Sequence, residues 1–319
     1  MLGLPRVQIL FLSREAGYFK SKRWMRKLEE FMPNEPMVIN IHDSNTREST
    51  GRRLNFLTAE FSGDEDERLI KLALTRATKQ ERYSPRHRHN FDQVRFVVSG
   101  ELEYGPLKCR PGDCIYFPEG VFYGPTQLIS ENAENYTIQS QGPSWAHLLT
   151  AIEEKNAMAD LAHEGVLDKN KGVFRWANGK NQDSYEAMWE KVAGRQLVYP
   201  AARFDSPVLI RSGNFSWVPA NQGSKVHVKQ LAGFNEYGPT IKLLKVEPQG
   251  KLSDGKTAEH RVNIMLSGVA NFQGRKLTAG TVLYYRPSCS YPEIVAEDEV
   301  VMLTVSLRPK RRLTLGSMH

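Results

Sequence analysis

His87-Arg88-His89-Asn90-Phe91-Asp92-Gln93-Val94-Arg95-Phe96-Val97-Val98-Ser99-Gly100 opens on two histidines one residue apart and ends on a glycine. Val94 to Val98 is a short, valine-rich run and Ser99-Gly100 is a turn signal, so a strand leading into a hairpin is predicted. The frame returns later in the chain. Ser99-Gly100 recurs as Ser267-Gly268, an offset of 168 residues. At that offset Arg95-Phe96-Val97-Val98 falls on Asn263-Ile264-Met265-Leu266, and Pro111-Gly112-Asp113 on Ala279-Gly280-Thr281. Ile115-Tyr116-Phe117 likewise falls on Leu283-Tyr284-Tyr285. A strand–glycine–hairpin–glycine–strand unit repeated at constant spacing implies duplication of an antiparallel barrel or jelly roll.

Outward from these units, β runs are expected from Arg53 to about Gln139, Leu69 to Leu74 among them, and again from about Val208 to Leu307. Trp24, Leu28 and Phe31 fall on one helical stripe closed by Pro33. A second helical stretch is expected around Trp145 to His163, and the Gly/Asn/Lys-rich passage from Gly165 to Gln182 reads as a linker. Asp183, with Glu186 three residues on, starts a third helix along Tyr185, Met188, Trp189 and Val192, with Gly194 as its stop. A chain of 319 residues exceeds one ordinary core, and the expected domains are 1–165 and 166–319.

Net charge is +7, concentrated in Lys20 to Lys27 and Arg308 to Arg312. Neither cluster has zinc-finger spacing or the glycine–aromatic pattern of an RNA-binding sheet, so solvated surface is expected rather than nucleic-acid binding. No apolar run reaches a membrane span, and Val7 to Leu12 is too short for the core of a signal peptide. Cys109, Cys114 and Cys289 have no paired spacing, which fits a reducing compartment and leads to a cytoplasmic expectation. Cys114 and Cys289 are expected as buried apolar residues.

His87-Arg88-His89 followed by Gly100, then Pro111-Gly112-Asp113 and Pro118-Glu119-Gly120-Val121-Phe122-Tyr123, resembles the two cupin motifs, HxH with a later glycine and PGD with PxGxxH. The resemblance implies a mostly β chain of two jelly-roll cupin domains, a bicupin, with a few peripheral helices. The stretch from His87 to Gly100 is also similar to the corresponding motif of gentisate-type ring-cleaving dioxygenases. Metal-binding cupins hold Fe, Mn, Zn or Ni with three His and a Glu. Here Gln93 stands at the carboxylate position and Tyr123 at the last histidine. The implied metal set is therefore His87, His89, Gln93 and Tyr123, for Fe2+ or else Mn, Ni or Zn, with Asp92 or Glu119 as carboxylate substitutes. At the offset of 168 these four become Gly255, Thr257, Arg261 and Tyr291. Only His260 is a conventional ligand there, so the second barrel is expected to be metal-free and structural.

Strand alternation puts Gln93 and Arg95 on one face with Val97, and Asp92 on the other. An Arg95 facing the barrel interior needs an anion, either a substrate carboxylate or phenolate, or an internal partner such as Asp113 or Glu103. Tyr123 can serve as an acid, a metal-bound phenolate or a packing residue. Tyr116, Phe117, Phe122, Tyr284 and Tyr285 are expected in the core or, failing that, lining the pocket. Three functions follow for the first barrel. One is a metal-dependent, dioxygenase-like enzyme acting on a small organic or aromatic acid, with His87 and His89 as ligands and Arg95 as anion clamp. Another is a metal-free isomerase or lyase with His87 or His89 as base and Tyr123 as acid. The last is a non-catalytic small-molecule-binding bicupin. A homodimer is expected.

Overall fold

The computed structural model describes residues 36–43, 46–49, 52–62, 68–79, 83–168, 171–234, 238–253 and 256–309. The stripe at Trp24 to Phe31 and most of the basic tail lie outside the described residues. The fold is mostly β, as the repeat requires, and each unit is a large antiparallel sheet facing a small one. In the first unit the large sheet runs Val208–Arg211, Asp113–Phe117, Asp92–Ser99, Asn132–Ser140, Leu69–Thr78, Arg52–Ser62, Thr46–Ser49. The small sheet is Tyr83–Ser84, Thr126–Leu128, Leu102–Tyr104, Leu107–Cys109. The second unit repeats this with Met37–Asn40, Thr281–Tyr285, His260–Ser267, Val300–Leu307, Thr240–Val246, Val226–Gly233, Val218–Pro219. Its small sheet is Lys251–Leu252, Ile294–Ala296, Ala270–Phe272, Arg275–Leu277.

Each barrel borrows its edge strand from the other half of the chain. Met37–Asn40 pairs with Thr281–Tyr285, Met37 opposite Tyr284. Val208–Arg211 pairs with Asp113–Phe117, Ile210 opposite Cys114. The large sheets then bury one face together. Val94, Phe96, Tyr116, Tyr136 and Ile138 from the first, and Val262, Ile264, Tyr284, Leu303 and Val305 from the second, belong to one apolar core. Phe61 and Tyr284 stack across it at 4.7 Å. The opposite faces line the barrels, around Val97, Ile115 and Phe117 in one and Met265, Leu283 and Tyr285 in the other. The repeated glycines are sterically required. Gly100 and Gly268 have φ of +72° and +87°, and a Cβ would meet Asn132 O at 2.1 Å or Glu299 O at 2.3 Å.

Helix α1, Ala151–Leu161, starts after Thr150, which forms a capping box with Glu153. The residues from Trp145 to Thr150 are irregular, so the helix is shorter than its expected span. Gly165 to Gln182 is not a linker. Gly165–Asp168, Val173–Trp176 and Asn181–Asp183 form a three-stranded antiparallel sheet, with Phe174 buried in a small core beside Leu161 and Ala187. Gly172 and Asn178-Gly179 mark turns between strands too short to show alternation. Helix α2, Ser184–Ala193, begins and ends as expected, with Asp183 accepting from the backbone of Tyr185 and Glu186 and Gly194 left-handed at φ 65°. All three cysteines are buried. Tyr116, Phe117, Tyr284 and Tyr285 are core, whereas Phe122 is 42 % exposed, held outside the wall by the Arg86 and Arg88 guanidiniums at 4.5 and 4.6 Å. No helix among the described residues is long and apolar enough to cross a membrane.

Ile210 joins the shared core from a borrowed strand, so Ile210→Ala is expected to cost about 2–4 kcal/mol in thermal or urea unfolding. A loss below about 1 kcal/mol would show that the exchanged strand is dispensable.

Candidate active site

The strand Asp92–Ser99 sorts its side chains by parity. Val94 and Phe96 enter the shared core and Val97 the barrel interior, so Gln93 and Arg95 face inward. Just upstream, the backbones of His87 and Tyr123 pair as an antiparallel bridge, N to O at 3.0 and 2.9 Å. This brings the two motifs together at the polar end of the first barrel.

His87 Nδ1 lies 2.7 Å from the Pro85 carbonyl oxygen, which can only accept, so Nδ1 carries the hydrogen. Nε2 is then the acceptor for the Tyr123 hydroxyl at 2.9 Å. Gln93 is fully buried, and with its carbonyl turned to the guanidinium it accepts from Arg95 Nε and Nη2, both at 3.1 Å. Gln139, opposite Gln93 on Asn132–Ser140, places its amide nitrogen 2.9 Å from the Gln93 side chain. The Arg95 guanidinium sits over the rings of Tyr104, Phe117 and Tyr123 at 4.9, 5.1 and 5.6 Å. Burial works against its charge, but Tyr104 and Tyr123 more than offset this and its pKa lies above the usual value. Arg95 Nη1 is buried with no hydrogen-bond partner.

The internal partners considered for Arg95 are both committed elsewhere. Asp113 accepts from Arg211 Nη1 at 2.8 Å and from the Arg110 backbone, and Glu103 accepts from Gln127. Among the described residues no carboxylate forms an ion pair with Arg95.

His89 stacks on Phe91 at 4.4 Å and meets His87 and Tyr185 edge-on at 4.9 and 5.2 Å. Burial, then the nearby charges of His87, Arg95 and Lys71, hold its pKa well below the ordinary histidine value, so it is neutral near pH 7. Its Nδ1 is buried with no partner. Tyr185 comes from α2 and donates to Asn90 Oδ1 at 2.8 Å, closing the barrel end over His89.

Asp92 lies on the other strand face. It accepts from the Glu119 backbone at 2.9 Å and from the Tyr116 hydroxyl at 2.8 Å, with Arg203 Nη2 3.9 Å away. Glu119 accepts from the Ser144 backbone and hydroxyl at 2.8 and 2.6 Å. Neither carboxylate joins the two histidines, and no group of three or more His, Cys, Asp or Glu comes together among the described residues. The possible donors are two neutral imidazoles, a primary amide and a phenol, beside a guanidinium. A divalent ion would meet no anionic ligand there and would feel the Arg95 charge, so this set does not fit a complete metal site. In the second barrel His260 shares the outward face of Val262 and Ile264, its Nδ1 2.8 Å from Tyr284 Oη, and does not enter the interior.

Sequence reasoning placed His87, His89, Gln93, Arg95 and Tyr123, and the fold gathers all five. It missed Tyr104, Gln139 and Tyr185. The alternation of Tyr136 and Ile138 against Thr137 and Gln139 could have found Gln139; nothing local announces that Tyr185 reaches His89.

Burial raises Asp92 from 3.8 to about 6, partly countered by its bonds from Glu119 and Tyr116. The folded chain thus holds a proton that the unfolded chain releases, and this contribution to stability falls as pH rises through that window. His89 acts with the opposite sign, lowering stability as pH falls below the ordinary histidine range. Asp92→Asn should therefore gain in melting temperature relative to the parent between about pH 4 and 7, and a flat difference would contradict the shift.

No family model matches the chain, and no curated protein matches it in sequence. Solved structures do. A candidate dioxygenase from Nostoc punctiforme is 13 % identical over 88 % of this chain and 86 % of its own, with a TM-score of 0.54. A candidate glyoxylate-induced protein from Pseudomonas aeruginosa is 14 % identical over 88 % and 92 %, TM-score 0.53. Streptomyces albus HEPD, determined with 2-hydroxyethylphosphonate and Fe(II), is 14 % identical over 90 % and 80 %, TM-score 0.53. These neighbours are cupin proteins, and at such identities the likeness is one of fold. The chain therefore has the mostly β, jelly-roll fold of the cupins.

Proposed function

We propose that the first barrel is an acid–base active site for a small organic or aromatic acid, an isomerase or lyase of the cupin fold. The observation that carries this is a guanidinium, Arg95, packed on aromatic rings inside the barrel with no ion-paired carboxylate among the described residues. One of its N–H-bearing atoms is unpartnered, and it lies beside the His87–Tyr123 pair. An arginine so placed calls for an anion, and a substrate carboxylate supplies it.

In this reading Arg95 and the Gln93 amide hold the acid group, and Tyr104 and Phe117 flank it. The Tyr123 oxygen takes a proton from the substrate while passing its own to His87 Nε2. The Nδ1–H bond to Pro85 keeps the imidazole in the tautomer that can accept it, and Arg95 steadies the negative charge on the phenol. The reverse transfer returns the proton. His89 stays neutral and offers Nδ1 to the substrate, and Tyr185 limits access of water. That one fold neighbour holds a small phosphonate and Fe(II) supports an anionic ligand for this fold, and it keeps a metal-dependent oxygenase as the competing reading.

Benzoate and oxalate are expected to raise the melting temperature of the intact chain. Arg95→Gln should remove that shift, and Tyr123→Phe should keep it while abolishing turnover. A shift unchanged in Arg95→Gln would refute the anion clamp. About one Fe or Mn per chain, lost in His87→Ala, would overturn the metal-free reading in favour of the oxygenase.

A further inference from the structure

The second barrel has a polar interior end of its own. Arg261 and Asn263 share the inward face of His260–Ser267 with Met265, and Thr304 and Ser306 share that of Val300–Leu307 with Met302. The ladder sets Asn263 opposite Thr304 and Arg261 opposite Ser306. In the first barrel the matching pairs are Arg95 with Thr137 and Gln93 with Gln139. Each barrel therefore carries one guanidinium and one primary amide two residues apart on the same strand, in opposite order. Phe117 and Tyr123 correspond to Tyr285 and Tyr291, whose rings stack at 4.0 Å, and the Arg261 guanidinium lies 4.6 Å from the Tyr291 ring.

Asn263 is 2 % and Thr304 0 % exposed, yet Asn263 Oδ1 and Thr304 Oγ1 have no hydrogen-bond partner. Buried polar groups are nearly always bonded, because leaving them unmade forfeits their hydration without return. An apolar barrel would hold leucine and valine at these positions, as this one does further along the same sheet at Val246 and Val300. One hydroxyl group can satisfy both atoms at once, donating to Asn263 Oδ1 and accepting from Thr304 Oγ1. Half-buried Arg261, on the same strand face, can meet a carboxylate attached to the hydroxyl-bearing carbon.

We propose that the second barrel is a metal-independent binding site for a small 2-hydroxy carboxylate, with Asn263 and Thr304 on the hydroxyl and Arg261 on the carboxylate. The site stands apart from the first barrel and does not depend on the reaction proposed there.

Glycolate binding to the full chain tests this by titration calorimetry in an Arg95→Gln background, where the first barrel's clamp is absent. One glycolate per chain is expected. Arg261→Gln should abolish binding, and the near-isosteric Asn263→Leu should weaken it about tenfold to a hundredfold. Asn263→Leu should also melt at or above the parent temperature without glycolate, since it removes a buried unpaired group, which separates lost binding from lost folding. No binding in the Arg95→Gln chain, or binding indifferent to both second-barrel changes, would overturn the proposal and leave a buried water as the partner of Asn263 and Thr304. Benzoate binding measured in Arg261→Gln reports on the first barrel separately, so failure of either site can be recognised alone.

Discussion

The apolar face shared by the two large sheets is the constraint from which the rest follows. Each sheet has an apolar side that its own barrel does not cover, and burying one against the other removes both from water. Parity does the remainder. Once Val94 and Phe96 are committed to that face, Gln93 and Arg95 have to point into the barrel, and Asp92 is withdrawn from it. The same commitment in the second unit turns His260 outward and Arg261 and Asn263 inward.

Inside the first barrel the buried cation is the Arg95 guanidinium, whose chemistry differs from that of a metal ion. A guanidinium cannot exchange ligands or change oxidation state. It can orient an acid group by paired hydrogen bonds and lower the energy of a nearby phenolate. The aromatic floor of Tyr104, Phe117 and Tyr123 makes its burial tolerable, and the tautomer fixed at His87 sets the direction in which a proton can move.

Much of this was legible from residue order. The glycine pairs Gly100/Gly268 and Gly112/Gly280 carry left-handed backbone that few other residues adopt, so the duplicated frame was visible in their spacing. The inward placement of Gln93 and Arg95 followed from period two, and the expected positions of His87, His89 and Tyr123 from the two cupin-like motifs. What stayed hidden depends on long-range pairing. Strand exchange leaves no local mark, because Met37–Asn40 and Val208–Arg211 look like any short strand. The partner of Arg95 could not be chosen until Asp113 was seen to meet Arg211, which arrives from the other half of the chain. The short strands between Gly165 and Asp183 were masked by the turns that join them.

The exchanged strands also bear on how such a chain is made. Synthesis runs from the amino end, and the first barrel lacks its edge until Val208–Arg211 has left the ribosome, long after its other strands are available. Met37–Asn40, which emerges before every other strand of its barrel, has to wait for Thr281–Tyr285 before it has a partner. Neither barrel can close on its own stretch of chain, so the closing steps join segments far apart in sequence, an ordering that slows folding and favours completion of both barrels together.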